Sequence, residues 1–190
     1  MSPAADRQTE ATQAALELFW RRGYADTSMA ELVQATGMNR YALYSVFGNK
    51  REVFLAALDA YYQAGRATYE PMMRDASMAP MDRIRRGLET AAGFMSEREN
   101  GCFICHVAVE HRSGDAKVSA AVASYFDRIR EIMTIPLREA AAAGTLNPSL
   151  TPELAAEVVF AAKMSMGAHI RAGCEPAVRE QMQGVVDGYS

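Results

Sequence analysis

Two short stretches carry residue types and spacings suited to chemistry: "NRYALYSVFGNK", residues 39 to 50, and "GCFICH", residues 101 to 106. The first mixes three aromatics with two cations. Placed on a helix at about 100° per residue, Leu43, Val46 and Phe47 fall on one side and are expected to be buried. Tyr41 and Ser45 fall opposite, with Arg40 and Tyr44 on one edge and Ala42 on the other. That outward face offers donors, a small residue for close approach, and a flat ring for thymine methyls, as base edges in a major groove require. Residues 37 to 51 contain Arg40, Lys50 and Arg51 and no acid, so a local positive patch stands on a chain of net charge −3. A paired helix with a merely solvated polar face has the same pattern.

The second stretch admits several chemistries. Cys102-x-x-Cys105-His106 has the c-type haem attachment pattern, but haem attachment needs export and no export signal precedes it. The same residues are half a zinc site, with only Cys174 and His111 or His169 left as further ligands. Cys102 lies near a helix start, where the dipole lowers a thiol pKa, so Cys102 and Cys105 are a candidate thiol sensor. Small buried hydrophobes are the plain structural alternative. Elsewhere there is no nucleophile elbow, no glycine-rich phosphate loop and no close metal-ligand pair. The expectation is a protein with no catalytic residues, no metal and no cofactor.

The elements that must position these residues read as helix throughout, because apolar residues recur at three and four spacing and nowhere alternate. Ala11, Ala14, Ala15, Leu18 and Phe19 form a stripe ending at Gly23. Ser28-Met-Ala-Glu31 is a capping box opening a short helix with Met29, Leu32 and Val33 inward, which stops at Gly37. Asn39 caps the next helix and Asn49 a long one carrying Val53, Phe54, Ala57, Leu58 and Tyr61. Further helices are expected over 81–98, from Cys102 to about Arg112, over 115–143, from Thr151 and Pro152 to near Ala172, and over about 176–188. Two helices joined by a short glycine-containing turn form a helix-turn-helix, with Lys50 and Arg51 at the following helix start, where backbone N–H groups attract phosphate. The 190 residues suffice for one sizeable core or a small domain on a larger one. No segment has about 18 uninterrupted apolar residues and the start has no apolar run, so a cytoplasmic protein with reduced thiols and no membrane partner is expected.

Residues 15 to 58, "ALELFWRRGYADTSMAELVQATGMNRYALYSVFGNKREVFLAAL", resemble the DNA-binding domain of TetR-family transcriptional regulators. The resemblance rests on Phe-x-x-x-Gly-Tyr at the first helix end, the Thr-Ser start of the second, Ala-x-x-Gly, Leu-Tyr-x-x-Phe and Lys50. It implies an all-α fold: a three-helix helix-turn-helix domain over 1–51 and a helical ligand-binding and dimerisation domain over 52–190. It further implies a homodimer on a palindromic operator in double-stranded DNA, usually a repressor, released by a small-molecule effector. By motif position Tyr44 and Lys50 contact phosphates, as does Ser28, leaving Arg40, Tyr41, Ala42 and Ser45 to read bases. Tyr41 departs from the small residue many members have there, so no base preference transfers.

The segment from Thr151 to Ala172 is apolar nearly all round, so a monomer core on one side and a second subunit on another are expected to cover it. The family resemblance assigns the dimer to the last two helices. Phe94, Phe103, Tyr125, Ile129, Met133, Phe160 and Met164, with Met95 and Phe126, are candidate ligand-cavity residues. His106, Glu110 and His169 are the polar groups expected to face such a cavity. The alternative reading is a small-molecule-binding or redox/electrophile-sensing helical protein whose task is not transcription.

Overall fold

The computed structural model describes residues 3–97, 101–110, 115–174, 184 and 188. Every element in them is a helix: α1 Pro3–Arg22, α2 Met29–Thr36, α3 Arg40–Phe47, α4 Lys50–Met73, α5 Pro80–Ser96, α6 Phe103–Glu110, α7 Ala116–Ala142 and α8 Pro152–Arg171. The expected last helix over 176–188 lies outside the described residues.

The helix starts follow the capping chemistry of the sequence. The Ser28 hydroxyl accepts the Glu31 N–H while the Glu31 carboxylate accepts the Ser28 N–H, so the capping box is closed in both directions. Asn39 accepts from the Ala42 N–H at 2.8 Å and Asn49 from the Glu52 N–H at 3.2 Å. Thr151 accepts from the Leu154 N–H, with Pro152 in the first turn, where its missing donor costs nothing.

Backbone contacts divide the chain into two compact units, Met1–Ala64 with His106–Val122, and Gly65–Cys105 with Ala123–Ser190. In the first unit, α1 contributes Ala15, Phe19 and Trp20 to the core, α2 Leu32, α3 Leu43, and α4 Val53, Phe54 and Ala57, all nearly inaccessible. Phe19 meets Phe54 edge-on at 5.0 Å and Trp20 meets Tyr61 at 5.2 Å, geometries that suit aromatic quadrupoles. Ala14, Met29 and Val33 are half-buried, so the inward stripes of α1 and α2 are narrower than the apolar pattern. Val46 departs from expectation outright: it is 44% exposed. It sits about 80° from the midpoint of Leu43 and Phe47, and a two-turn helix covered on one side buries only the middle of its stripe.

In the second unit the buried side chains include Ile84, Leu88 and Met95 of α5, Phe103 of α6, Leu137 of α7 and Val159, Met166 and Ile170 of α8. α8 packs on α5, and the segment before α6 presses on α8 at Gly167. A Cβ there would lie 2.7 Å from the Cys102 Cβ and 3.2 Å from the Cys102 nitrogen. Alanine is the better helix former, but the crowding groups are a backbone atom and a Cβ that cannot rotate away. Gly167→Ala is therefore expected to lower stability by about 1–3 kcal/mol in urea unfolding. A stabilised variant would show that this approach is slack.

Candidate functional site

The outward face of α3 is built by its own packing. Leu43 is fully buried and Phe47 nearly so, which leaves Arg40, Tyr41, Tyr44 and Ser45 exposed and Ala42 half-exposed. Tyr41 is 84% exposed and Tyr44 38%. The difference has a local cause: the Arg40 guanidinium lies over the Tyr44 ring, 5.7 Å from its centroid, whereas no ring or cation contact involves Tyr41 among the described residues. Tyr41 also sits in the first turn of a helix whose start is pinned by Asn39, so its backbone is fixed while its ring is open to a partner.

The flanking groups are more committed than the sequence suggests. Lys50 is half-buried, its ammonium 4.4 Å from the Tyr24 ring centroid and donating to the Ala25 carbonyl at 3.4 Å. Burial holds its pKa below the ordinary lysine value. Arg51 pairs with Asp115 at 3.5 Å. The Ser28 hydroxyl donates to Glu31 at 2.8 Å, and Glu31 also pairs with Arg22 at 2.6 Å. Tyr24, under Lys50, is anchored in turn by its N–H, which donates to the Glu110 carboxylate at 3.2 Å. Gly23 makes this possible: at φ 83° it turns the chain, and any Cβ would collide with that carboxylate. The Gly23–Glu110 contact was invisible to sequence reading, although Gly23 itself stood out as a helix end.

The Ser28 N–H and hydroxyl hold the Glu31 carboxyl below the ordinary value of 4.5. A depressed carboxylate stabilises the fold fully above its unfolded pKa and ceases to do so as the pH falls through its folded value. The stability gap between wild type and Glu31→Gln is therefore expected to be widest above about pH 5 and to shrink towards pH 3. Urea midpoints across that range test it, and a constant gap would show that the charge of Glu31 contributes nothing.

In the second unit a void of about 20 Å³ lies between α4, α5, α7 and α8. Ile129 and Met133 line it, with Ile132 beside them on α7. Its other walls are Tyr69 and Met73 of α4, Ile84, Gly87 and Leu88 of α5, and Val159 and Lys163 of α8. The remaining candidate ligand residues lie elsewhere. Phe103 and Tyr125 are buried, and Phe160 meets Phe126 edge-on at 5.2 Å and lies under the Arg130 guanidinium at 4.5 Å. Phe94 is 36% exposed. His106 lies in the first unit, 3.6 Å from Glu110, and His169 bonds within its own helix to the Ser165 carbonyl. Met164 touches the Cys105 sulfur at 3.2 Å. Lys163, which the sequence pattern does not single out as a cavity residue, is the lone cation in the run from Leu154 to Met166.

Cys102 is buried, and the hydrogen bond with Cys102 followed by burial pushes the Cys105 thiol far up. Among the described residues no three His, Cys, Asp or Glu side chains cluster as metal ligands. No described helix is long and apolar enough to cross a membrane.

A short capped helix, a three-residue turn (Gly37 to Asn39) and an exposed second helix of Arg, Tyr, Tyr and Ser form a helix-turn-helix. Residues 11–57 match the bacterial regulatory proteins of the TetR family, and residues 80–185 match the tetracycline-repressor-like C-terminal domain. The chain belongs to the TetR family. Over 59 residues it is 44% identical to the transcriptional repressor ComR of Escherichia coli strain K12, covering 31% of this chain and 28% of ComR. It is 29% identical over 116 residues to the uncharacterised regulator YezE of Bacillus subtilis, covering 60% of this chain and 57% of YezE, so it spans under two thirds of either relative. With the regulator AcuR of Cereibacter sphaeroides it shares 26% identity over 150 residues, 78% of this chain and 68% of AcuR. The fold matches reduced E. coli NemR with a TM-score of 0.89 at 15% identity, covering 97% of each chain. It also matches a cysteine mutant of the TetR-family regulator CifR bound to 26-base-pair operator DNA, with a TM-score of 0.85 at 18% identity, covering 95% of each chain.

Proposed function

We propose that the chain is a ligand-responsive DNA-binding transcriptional regulator, a repressor that binds a palindromic operator as a homodimer in the cytoplasm and acts by binding, without catalysis. Residues 1–51 are the DNA-reading head and residues 52–190 the effector and dimer domain. The observation that carries the reading is the face of α3: an 84% exposed Tyr41 ring beside Arg40 and Ser45, on a helix fixed by Asn39 and by buried Leu43. With its backbone fixed and only two side-chain torsions to order, an exposed tyrosine costs little entropy when a partner covers it. The operator-bound CifR structure supplies a precedent for the fold on DNA.

In this reading Arg40, Tyr41, Ala42 and Ser45 face base edges, while Tyr44 and Lys50 reach phosphates. Ser28 joins the phosphate contacts only by turning its hydroxyl from Glu31 to the DNA. The homodimer forms through α8 and the segment after it. Support comes from Leu154, 49% exposed, and Val158, 39% exposed, which continue through exposed Ala161 as an apolar stripe on the side of α8 away from its buried face. A stripe ending in small residues lets a second helix approach closely.

Binding to a set of single-base operator variants, with the protein's own upstream region as starting DNA, tests this assignment. Tyr41→Ala is expected to cost about 1–3 kcal/mol on the preferred operator and little on random DNA, relaxing specificity at one or two positions. Tyr44→Phe is expected to lose affinity across all sequences with the preferred bases unchanged. Retention of the wild-type base preference in Tyr41→Ala would remove this ring from the reading face, and failure to retard any fragment would remove the regulator reading itself.

A further inference from the structure

Two cationic side chains are buried in the second unit, each only 3% exposed: Arg83 and Lys163. Their situations are opposite. Arg83 donates to the Met78 and Met73 carbonyls and pairs with Glu139 at 2.7 Å. Lys163 has no hydrogen bond or ion pair with any described residue, and it lines the void. The nearby Cys105 thiol is pushed far up by the hydrogen bond with Cys102 and by burial, so it supplies no negative charge. An unpaired cation in an apolar interior is costly and needs a counter-charge.

The rest of the lining fits one kind of molecule. Apart from Lys163, the only polar side chain around the void is Tyr69, whose hydroxyl supplies a neutral donor. Burial, followed by the influence of Cys102, pushes the Tyr69 pKa up to about 12, so it stays a donor at neutral pH. All other walls are apolar: Met73, Ile84, Leu88, Ile129, Ile132, Met133 and Val159 with the bare backbone of Gly87.

We infer that this void binds a small apolar monocarboxylate, its carboxylate paired with Lys163 and hydrogen-bonded by Tyr69 and its hydrocarbon part among the methionines and isoleucines of α4, α5 and α7. One cation and one hydroxyl satisfy a monoanion, whereas a phosphate dianion would be left with unmatched oxygens and charge. As packed, the void of about 20 Å³ has room for about one water, so a carboxylate enters as the flexible methionine side chains of its walls yield to it. This inference rests on the reading of the second unit as the effector domain and names the chemical class of that effector.

The test is made on the full chain without DNA, so that it stands apart from operator binding. Straight-chain carboxylates of about three to eight carbons and benzoate are titrated by calorimetry and thermal shift, each against its own amide and the corresponding alkyl or aryl phosphate. At least one carboxylate is expected to bind and raise Tm, with its amide and its phosphate at least about tenfold weaker. Lys163→Met and Lys163→Gln are expected to lose that preference, Tyr69→Phe to weaken it, and Lys163→Met to melt above wild type without ligand, since it removes an unpaired buried charge. No bound carboxylate, equal binding of the amide or phosphate, an unchanged preference in both Lys163 variants, or a lower Tm for ligand-free Lys163→Met would each overturn the assignment. A gel shift on the wild type, run separately, reports whether the protein is a DNA-binding regulator whatever the titrations show.

Discussion

Phe47→Ala is expected to cost about 3–5 kcal/mol of stability and to weaken DNA binding by the head with it. Phe47 closes the buried end of α3, next to fully inaccessible Leu43, in a three-helix unit whose core is a handful of side chains from α1 to α4. Truncating a buried ring there removes transfer energy and leaves a cavity that short helices tied at Asn39 and Gly48 cannot collapse to fill. Domains of this size hold only about 5–15 kcal/mol in all, so the loss is a large share of the total. Tyr41, six residues earlier on the opposite face, is the control: Tyr41→Ala is expected to unfold within about 0.5 kcal/mol of wild type. Urea unfolding of both variants, read alongside operator binding, separates a residue that holds the helix from one that uses it. A stable Phe47→Ala, or an unfolded Tyr41→Ala, would mean that α3 is rotated from the placement given by its buried face.

The parts of this fold that were legible in the sequence are those fixed by short-range chemistry. Ser28 with Glu31, Asn39 with Ala42 and Thr151 with Leu154 are contacts within one turn, and a hydroxyl or amide at a helix start has few alternatives. The spacing of Leu43 and Phe47 likewise determines which side of α3 is covered. What the sequence did not disclose depends on distant partners. Val46 matched the buried spacing but is 44% exposed. Lys50 was legible as a cation but not as one resting on Tyr24, because that ring is placed by the turn at Gly23 and by Glu110, 86 positions further on from Tyr24. The cavity is the extreme case. Its walls come from four helices, and a list of aromatic and methionine positions gives no hint of which side chains leave a gap and which fill one. Phe160 is as apolar as Val159, yet Phe160 meets Phe126 and Arg130 while Val159 faces the void.

The other large effect is expected at Arg83, the buried cation with a full set of partners. Its Nε donates to the Met78 carbonyl at 3.0 Å and one terminal nitrogen to the Met73 carbonyl at 3.1 Å. The second terminal nitrogen pairs with Glu139 on α7 at 2.7 Å. Met73 is the last residue of α4, and a carbonyl there has no partner within its own helix. Arg83 thus caps α4, holds the connecting segment and ties α5 to α7 with one planar group, a task its forked donors suit and a lysine ammonium does not. Arg83→Met keeps the bulk of the stem but strands two carbonyls against apolar neighbours, and a loss of about 3–5 kcal/mol is expected. Arg83→Lys is expected to recover only a minor part of it. Glu139→Gln is expected to cost less than about 1 kcal/mol, because the Glu139 side chain is 48% exposed and water takes over its solvation. Urea unfolding of the three variants gives the ordering, and an Arg83→Met protein within about 1 kcal/mol of wild type would show that the two carbonyls find other donors. The same substitution at Lys163 is expected to act in the opposite direction, since burial is equal at the two sites and only the partners differ.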